Sequence, residues 1–131
     1  MSYSRQVDSH GIVITTLFGS VTLNESIEIQ NDLLNYVQGG EIYELVLHPE
    51  NSELLQDAKE AIISADNVQK NLTKIKKGAI AFVAGNDFIY GLCRQLQMRV
   101  DNQYIQLCVF RTEETALKWL YEIKSSDEKL S

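Results

Sequence analysis

The fold of this chain is decided by residues 77–120, KGAIAFVAGNDFIYGLCRQLQMRVDNQYIQLCVFRTEETALKWL. Residues 78–84 form an apolar run of strand length, which a Gly-Asn-Asp turn at 85–87 ends. A second apolar run follows at residues 105–110. The residues between the two runs, and those after the second, have the apolar spacing of amphipathic helices. The stretch therefore predicts a strand, a helix, a strand and a helix.

Both predicted helices begin at residues that commonly cap helices. Asn86 or Asp87 can cap the first helix, and Thr112 can cap the second. The residues expected on the core face of the first helix share spacings of four; they are Phe88, Leu92, Leu96 and Val100.

The N-terminal residues predict a β-hairpin. Residues 3–7 alternate weakly, as an edge strand does, and residues 12–19 are rich in the β-branched side chains that favour strands. The Asp-Ser-His-Gly sequence between them, at 8–11, is typical of a hairpin turn.

A helix and a third strand are predicted next. Thr22 and the glutamate three residues later have capping-box spacing, so we expect a helix from there to about Gln38. The Gly-Gly pair at 39–40 is expected to end that helix as a left-handed C-cap. Residues 43–48 predict a short strand, which Pro49 stops because proline has no N–H to donate to a sheet.

Residues 50–77 have two interpretations. Apolar residues recur there at spacings of three and four, which one long amphipathic helix explains; they are Leu54, Ala58, Ala61, Ala65, Val68 and Leu72. A break near Ser64 would instead leave an extended piece at residues 62–63 and a new N-cap. We expect helix through most of the segment, and the alternative of a loop followed by a helix stays open.

The predicted order of elements is β-β-α-β-α-β-α-β-α. Strands joined through helices pair in parallel through right-handed crossovers, whereas the hairpin adds an antiparallel edge. We therefore expect an α/β (α+β) fold with a single mixed, mostly parallel five-stranded sheet and about four helices. Residues 1–124 are expected to form one domain, and the polar residues 125–131 a frayed tail.

Composition limits the cellular setting and the class of partner. The N-terminal residues lack the apolar core of a signal peptide, and no apolar run reaches the roughly 20 residues of a membrane helix. Cys93 and Cys108 lack the spacing of metal ligands and are expected to be reduced core thiols. A net charge of −6 argues against nucleic acid as the partner, because phosphate binding requires a basic surface. We expect a cytoplasmic protein.

Charge is unevenly distributed along the chain. Residues 21–66 contain ten acidic residues and one basic residue, whereas residues 67–111 contain seven basic and two acidic residues. A basic run lies within the second segment and comprises Lys70, Lys74, Lys76 and Lys77. These lysines could simply be solvated at a helix C-terminus. Alternatively they form a basic docking surface for a protein partner or a second copy, with membrane contact absent or at most peripheral.

No residues have the spacing of a catalytic or metal site. His10 falls in the predicted hairpin turn and His48 at a strand end, and neither lies in the context of a catalytic triad or a zinc site. The turn at 85–87 begins a helix and could bind an anion, but Asp87 would repel phosphate. We expect a protein that is not an enzyme and that has no metal or cofactor.

One set of side chains could form a pocket on the helix after the turn at 85–87. Tyr90 and Arg94 are one helical turn apart, so the arginine could stack on the ring or form a polar rim. The candidate pocket or interaction residues are Phe88, Tyr90, Arg94 and Met98. The simpler interpretation is that they belong to the ordinary core.

These sequence features resemble the SpoIIAA-like family of STAS domains, the fold of sulphate transporters and anti-sigma-factor antagonists. The resemblance rests on the basic-then-apolar strand at 77–84 and on Tyr-Gly-Leu-Cys-Arg at 90–94. It also rests on a closing motif made of Val109, Phe110, Ala116, Trp119 and Leu120. The motifs cover the last third of the chain and the topology covers nearly all of it. Because these are packing motifs, they specify fold better than function.

The resemblance implies a switch that acts by binding. In anti-sigma-factor antagonists, a serine after the third strand, in an Asp-Ser-Ser-Gly-like turn at a helix N-terminus, is phosphorylated and thereby changes partner contacts. Ser52 and Ser64 are the candidate phosphorylation sites here, although the motif's aspartate and glycine are missing around both. Each serine is more simply explained as a helix cap.

Two hypotheses about function follow. The first is a non-enzymatic STAS-like regulatory or protein-interaction module that binds a protein partner or itself. The second is a domain that binds a small apolar ligand or lipid between helices and sheet, since SpoIIAA-like proteins resemble the Sec14-type lipid-binding fold in topology. A mobile amphipathic helix around residues 54–72 would favour the second hypothesis.

Overall fold

The computed structural model describes residues 3–130, with the backbone alone at residue 130. The strands of the described chain are β1 (Tyr3–Val7), β2 (Val13–Leu17), β3 (Ser20–Thr22), β4 (Glu41–His48), β5 (Glu53–Leu55), β6 (Lys77–Ala84) and β7 (Ile105–Phe110). The α-helices are α1 (Leu23–Asp32), α2 (Ala58–Leu72), α3 (Asp87–Arg99) and α4 (Glu113–Leu130).

Five strands form one mixed sheet in the order β1-β2-β4-β6-β7. β1 and β2 are antiparallel and are joined by the predicted turn, in which the Asp8 N–H donates to the Ile12 carbonyl at 2.9 Å. The other neighbouring strands are parallel, as connections through helices require. The predicted mixed, mostly parallel α/β sheet with its N-terminal hairpin and four helices is confirmed.

A second, two-stranded sheet was not predicted. β3 and β5 pair in parallel, with Val21 opposite Leu54. Each strand has three residues, which is too short for a period-two pattern to be recognised in the sequence.

The sheet separates two layers of helix. Successive residues of a strand point to opposite faces, so Ile42 and Val46 of β4 pack on one side and Tyr43 and Leu45 on the other. The first side, covered by α1, α2 and α3, is called here the three-helix face. The second, covered by α4, is called the one-helix face.

The helix α1 ends earlier than the sequence predicted. It reaches Asp32 and tightens into a 3-10 turn over Leu33–Tyr36, so it does not run to Gln38. Gly39 and Gly40 therefore do not cap it. They have φ of 62° and 79° and form a two-residue turn in which the Glu41 N–H donates to the Gln38 carbonyl at 3.0 Å. Gly-Gly favours tight hairpin turns and helix C-caps alike, because both require a positive φ.

The helix α2 is continuous from Ala58 to Leu72, so the break considered near Ser64 is wrong. The helix begins later than expected, after a turn and β5. Asp57 caps it by accepting from the Glu60 N–H at 2.8 Å, and the Glu60 carboxylate accepts from the Asp57 N–H at 3.3 Å. The sequence contains this capping box as Asp-x-x-Glu, but the segment was interpreted from its hydrophobic spacing and the box was not identified.

The end of the chain differs from the expected frayed tail. α4 continues through residue 130, so residues 125–130 are helical, and residue 131 lies outside the described residues. Tyr43 donates from its hydroxyl to Asp127 at 2.6 Å, and Lys124 pairs with Glu128 at 2.6 Å. A contact with the sheet and an i,i+4 ion pair thus stabilise the last turns.

Candidate functional site

A cavity of about 150 Å³ lies between the three-helix face of the sheet and the helices α1, α2 and α3. Most of its walls are apolar. The strands contribute Leu17, Val46, Ile80 and Phe82, and the helices contribute Ile29, Leu33, Ala65, Val68, Leu92 and Leu96. The cavity is partly open to the surface, and its volume exceeds the gaps that close-packed protein interiors usually leave.

The cavity exists because α2 presents small side chains to it. Ala61, Ser64 and Ala65 line the cavity from α2, where larger residues would fill it. The helix is held to α1 in part by side-chain hydrogen bonds: Gln30 to Ser64 at 2.8 Å, Asn67 to Gln30 at 2.8 Å and Asn71 to Asn31 at 2.9 Å. Gln56, which precedes α2, also donates to Ser26 of α1 at 2.7 Å. Polar contacts therefore hold α2 over the cavity where its small side chains leave the apolar layer incomplete.

A buried ionic cluster lines the cavity beside β1, β2 and β4. The Arg5 guanidinium donates to Glu44 at 3.2 Å, to Asp32 at 3.0 Å, to the Ile29 carbonyl at 3.0 Å and to the Thr15 hydroxyl at 2.8 Å. Thr15 in turn donates to Glu44 at 2.6 Å. Burial raises the pKa of Glu44, and the charge of Arg5 and the Thr15 hydroxyl oppose that shift. This cluster ties the edge strand to the centre of the sheet.

His48 is the most informative polar residue of the cavity. It lines the cavity and is 6% exposed, and its ring Nδ1 is buried without a hydrogen-bond partner among the described residues. Burial lowers the pKa of His48 to about 4, so the imidazole is neutral at pH 7. The residue ends β4, and ligands of α/β sheets commonly bind at the carboxyl ends of parallel strands.

The sequence analysis treated His48 as one more strand-end histidine and missed its burial. The signal available was alternation along β4. Glu44, Val46 and His48 are spaced by two, so they share one face of the strand, and all three line the cavity.

The predicted pocket residues do not line the cavity. Phe88 and Met98 are 62% and 79% exposed, and Arg94 is also exposed. Tyr90 is half-buried, and its ring stacks with the Arg111 guanidinium at 3.9 Å instead of with Arg94. The role of these four residues in an interaction surface stays a prediction.

The buried face of α3 differs by one residue from the core face that the sequence predicted. Asn86 caps the helix by accepting from the Ile89 N–H at 2.9 Å. Ile89 and Cys93 are then the residues that become fully buried, so the expected core position Phe88 points to solvent. Leu92, Cys93 and Leu96 face the cavity instead.

Neither candidate phosphorylation site lies at a helix N-terminus. Ser52 is buried in the turn after β4, where its hydroxyl donates to the Pro49 carbonyl at 2.8 Å. Ser64 is in the middle of α2 and accepts from Gln30, so it is not a cap. The N-cap of the helix that follows β4 is Asp57. Phosphorylation of either serine stays a prediction, and each hydroxyl is already engaged within the protein.

The lysine run is only partly available as a docking surface. Lys70, Lys74 and Lys76 are exposed near the end of α2 and the start of β6. Lys77 is half-buried and pairs with Glu41 at 3.1 Å, and its ammonium also donates to the Asp127 carbonyl at 3.4 Å. The role of the four lysines in a docking surface stays a prediction.

The remaining candidates can be placed briefly. Cys93 and Cys108 are both free thiols, and burial raises the pKa of Cys93 to about 12. Among residues 3–130, no group of three or more histidine, cysteine, aspartate or glutamate side chains could hold a metal ion. No helix of the described chain is both long enough and apolar enough to cross a membrane.

Two solved structures are similar to this one over nearly the whole chain. A protein of the DUF3478 family with a SpoIIAA-like fold, from Shewanella loihica PV-4, has a TM-score of 0.61 and 15% identity and covers 90% of this chain and 91% of its own. The anti-sigma factor antagonist SpoIIAA in its unphosphorylated form has a TM-score of 0.54 and 12% identity, over 91% of this chain and 97% of its own.

The comparisons by sequence give no match. No protein-family model matches the chain, and no curated protein matches it in sequence. The structural similarity agrees with the order of strands and helices and with the packing motifs of residues 77–120. The chain therefore has the SpoIIAA-like fold of the STAS domains.

Proposed function

We propose that this protein is a non-enzymatic regulatory module of the STAS type that binds a small apolar ligand in the cavity beneath α2. The observation that carries the proposal is the cavity itself, about 150 Å³ in volume and walled mainly by aliphatic and aromatic side chains. An apolar cavity of about this volume is large enough to bind a molecule of the size of benzene. The fold supports a regulatory role because it is also the fold of an anti-sigma factor antagonist.

The helix α2 offers a route from the cavity to the surface. Ala61 and Ala65 line the cavity, whereas Ile62 and Ile63 on the other side of the same helix are 38% and 42% exposed. An occupant of the cavity would contact one side of α2 while a partner contacts the other. Ligand binding and partner binding would then be coupled through the position of one helix.

Ligand binding is tested with the purified protein and benzene as the probe. We expect native mass spectrometry to detect a co-purified apolar molecule, or benzene to raise the melting temperature of the protein as its concentration increases. In either case, saturation with benzene should shift the NMR signals of Val68 and Leu96 methyl groups.

The matched control is Ala65→Leu, which extends a side chain into the cavity from its α2 wall. We expect this variant to fold and to lose the response to benzene. The proposal fails if no molecule co-purifies and benzene changes neither the melting temperature nor the methyl signals of the unsubstituted protein.

A second candidate function is docking of a protein partner, and one observation favours it. Several large apolar side chains are exposed on α2 and α3; they are Ile62, Ile63, Phe88 and Met98. Sedimentation at low and high salt would detect a self-associated form. Met98→Asp and Ile63→Asp should each weaken it. A protein that stays monomeric at high concentration excludes self-association by these surfaces.

A further inference from the structure

One buried polar side chain of the cavity wall has a ring nitrogen without a hydrogen-bond partner in the described part of the chain. The other buried polar residues of the sheet wall, Thr15 and Glu44, bond to each other and to Arg5. His48 lies farther along the same face of β4, and its buried ring Nδ1 has no hydrogen-bond partner among residues 3–130. Buried polar groups normally have a partner, because leaving one unsatisfied is costly. Such a group in a cavity wall indicates that its partner is a bound molecule.

We propose that the cavity binds a small, neutral, largely apolar molecule that carries one hydroxyl group, and that His48 recognises this hydroxyl. The inference rests on the proposed function, since it requires that the cavity take a ligand. It adds the chemical class of the ligand and the residue that selects it.

The chemistry of the ring explains why the ligand carries a hydroxyl. A neutral imidazole has one nitrogen that donates and one that accepts, and a hydroxyl can be the partner of either. The lowered pKa of His48 keeps the ring neutral at pH 7. No hydrogen bond from a described residue holds Nδ1 in place, so turning the ring by 180° to present the other nitrogen breaks none at this atom.

The cavity disfavours a charged ligand. A carboxylate or an ammonium would lose its hydration among side chains such as Val46, Phe82 and Leu96. Two arginines line the cavity. Arg5 offers no ready counter-charge, because its guanidinium already donates to Asp32, Glu44, Thr15 and the Ile29 carbonyl. Arg99 is exposed on α3, where water solvates its charge. The volume matches a single six-membered ring. Phenol therefore probes the apolar contacts together with the hydroxyl contact, and benzene probes the apolar contacts alone.

The test compares the two probes in two proteins. Dissociation constants for phenol and benzene are measured by NMR titration of the unsubstituted protein and of His48→Leu. We expect the unsubstituted protein to bind phenol more tightly than benzene. In His48→Leu, the ratio of the benzene to the phenol dissociation constant should fall by at least about tenfold, while benzene still binds. His10→Gln is the matched control: His10 is exposed in the hairpin turn, so this variant should keep the full preference.

The outcomes separate this inference from the proposed function. If benzene binds but the preference for phenol is absent or is unchanged in His48→Leu, the assignment of His48 is overturned and ligand binding stands. If no molecule co-purifies and neither probe binds the unsubstituted protein, both fail. Should His48→Leu not fold, the ¹⁵N shifts of the His48 ring decide. Phenol must move them and benzene must not, and any other pattern overturns the inference.

Discussion

On the one-helix face of the sheet, small and large apolar side chains fill the space beneath α4, whereas the three-helix face encloses a cavity. Ala79 and Ala81 of β6 are fully buried against Ala116 and Leu120 of α4. Opposite them, the same sheet presents Arg5, Thr15, Glu44 and His48 to the cavity. A single helix thus packs closely on alanine-rich strands, while three helices meet above larger side chains and leave room between them. The comparison shows that the number of covering elements does not decide how completely a sheet face is filled.

The difference also separates two sources of stability. The one-helix face depends on close apolar packing, which is sensitive to added volume. The three-helix face depends in part on buried polar pairs, which are sensitive to loss of one partner. Four predictions test this division.

The largest effect is expected from Arg5→Leu. Removal of the guanidinium leaves the Glu44 carboxylate buried without its cation, which should lower the free energy of unfolding by about 3–5 kcal/mol. Urea denaturation measures the loss. The double variant Arg5→Leu/Glu44→Leu should recover much of it, because no buried charge is left. A loss below about 1 kcal/mol in the single variant would show that the cluster contributes little.

The next effect concerns pH and the cavity histidine. The unfolded chain protonates His48 near pH 6.5, whereas burial lowers the pKa in the folded state to about 4. Between these values the unfolded state binds more protons, so stability falls as pH decreases from about 6.5 to about 4, by about 3 kcal/mol for this group. Denaturation at several pH values measures this fall in stability. His48→Leu should not show the decrease that His48 causes between these pH values, whereas His10→Gln should show it in full. Equal pH profiles for all three proteins would mean that His48 is hydrated in solution.

Adding the same volume to the two faces should have opposite consequences. Ala116→Leu forces extra atoms into the filled layer under α4 and should cost about 1–3 kcal/mol. Ala65→Leu extends into the cavity and should cost less than about 1 kcal/mol or stabilise the protein. Denaturation in urea measures both values. Equal costs would contradict the difference in packing.

The smallest effect is expected at the start of α2, the helix that covers the cavity. Asp57→Ala removes the side chain that accepts from the Glu60 N–H and should cost about 1 kcal/mol. Asp57→Asn keeps an acceptor at the cap and is the matched control, with almost no loss expected. Hydrogen exchange of the first amides of α2 should rise in the alanine variant alone.

Much of the fold was predictable because its signals are local. The turn at 8–11, the capping box at Thr22, the cap at Asn86 and the apolar runs of β6 and β7 each lie within a few neighbouring residues. Where one local signal has two structural uses, prediction failed. Gly39 and Gly40 were assigned to a helix cap and form a tight turn, because both conformations require a positive φ.

The candidate site was harder to predict because it depends on helix phase. A shift of one residue in the core face of α3 buries Ile89 and Cys93 and exposes Phe88, so the predicted pocket residues Phe88, Tyr90, Arg94 and Met98 lie outside the cavity. The sequence pattern alone did not distinguish these neighbouring stripes, since both contain apolar residues at helical spacing.

The amino-acid sequence by itself determined the order of the four helices and of the five strands of the main sheet, and with it the mostly parallel pairing, because propensity, capping and connection length act within short segments. Only the tertiary structure decided that the buried ring Nδ1 of His48 has no hydrogen-bond partner among the described residues, that Arg5 meets a glutamate 39 residues away, and that α2 leaves a cavity beneath it. These features arise where segments distant in the chain pack together, and the space left between two packed surfaces is a property of neither sequence segment alone.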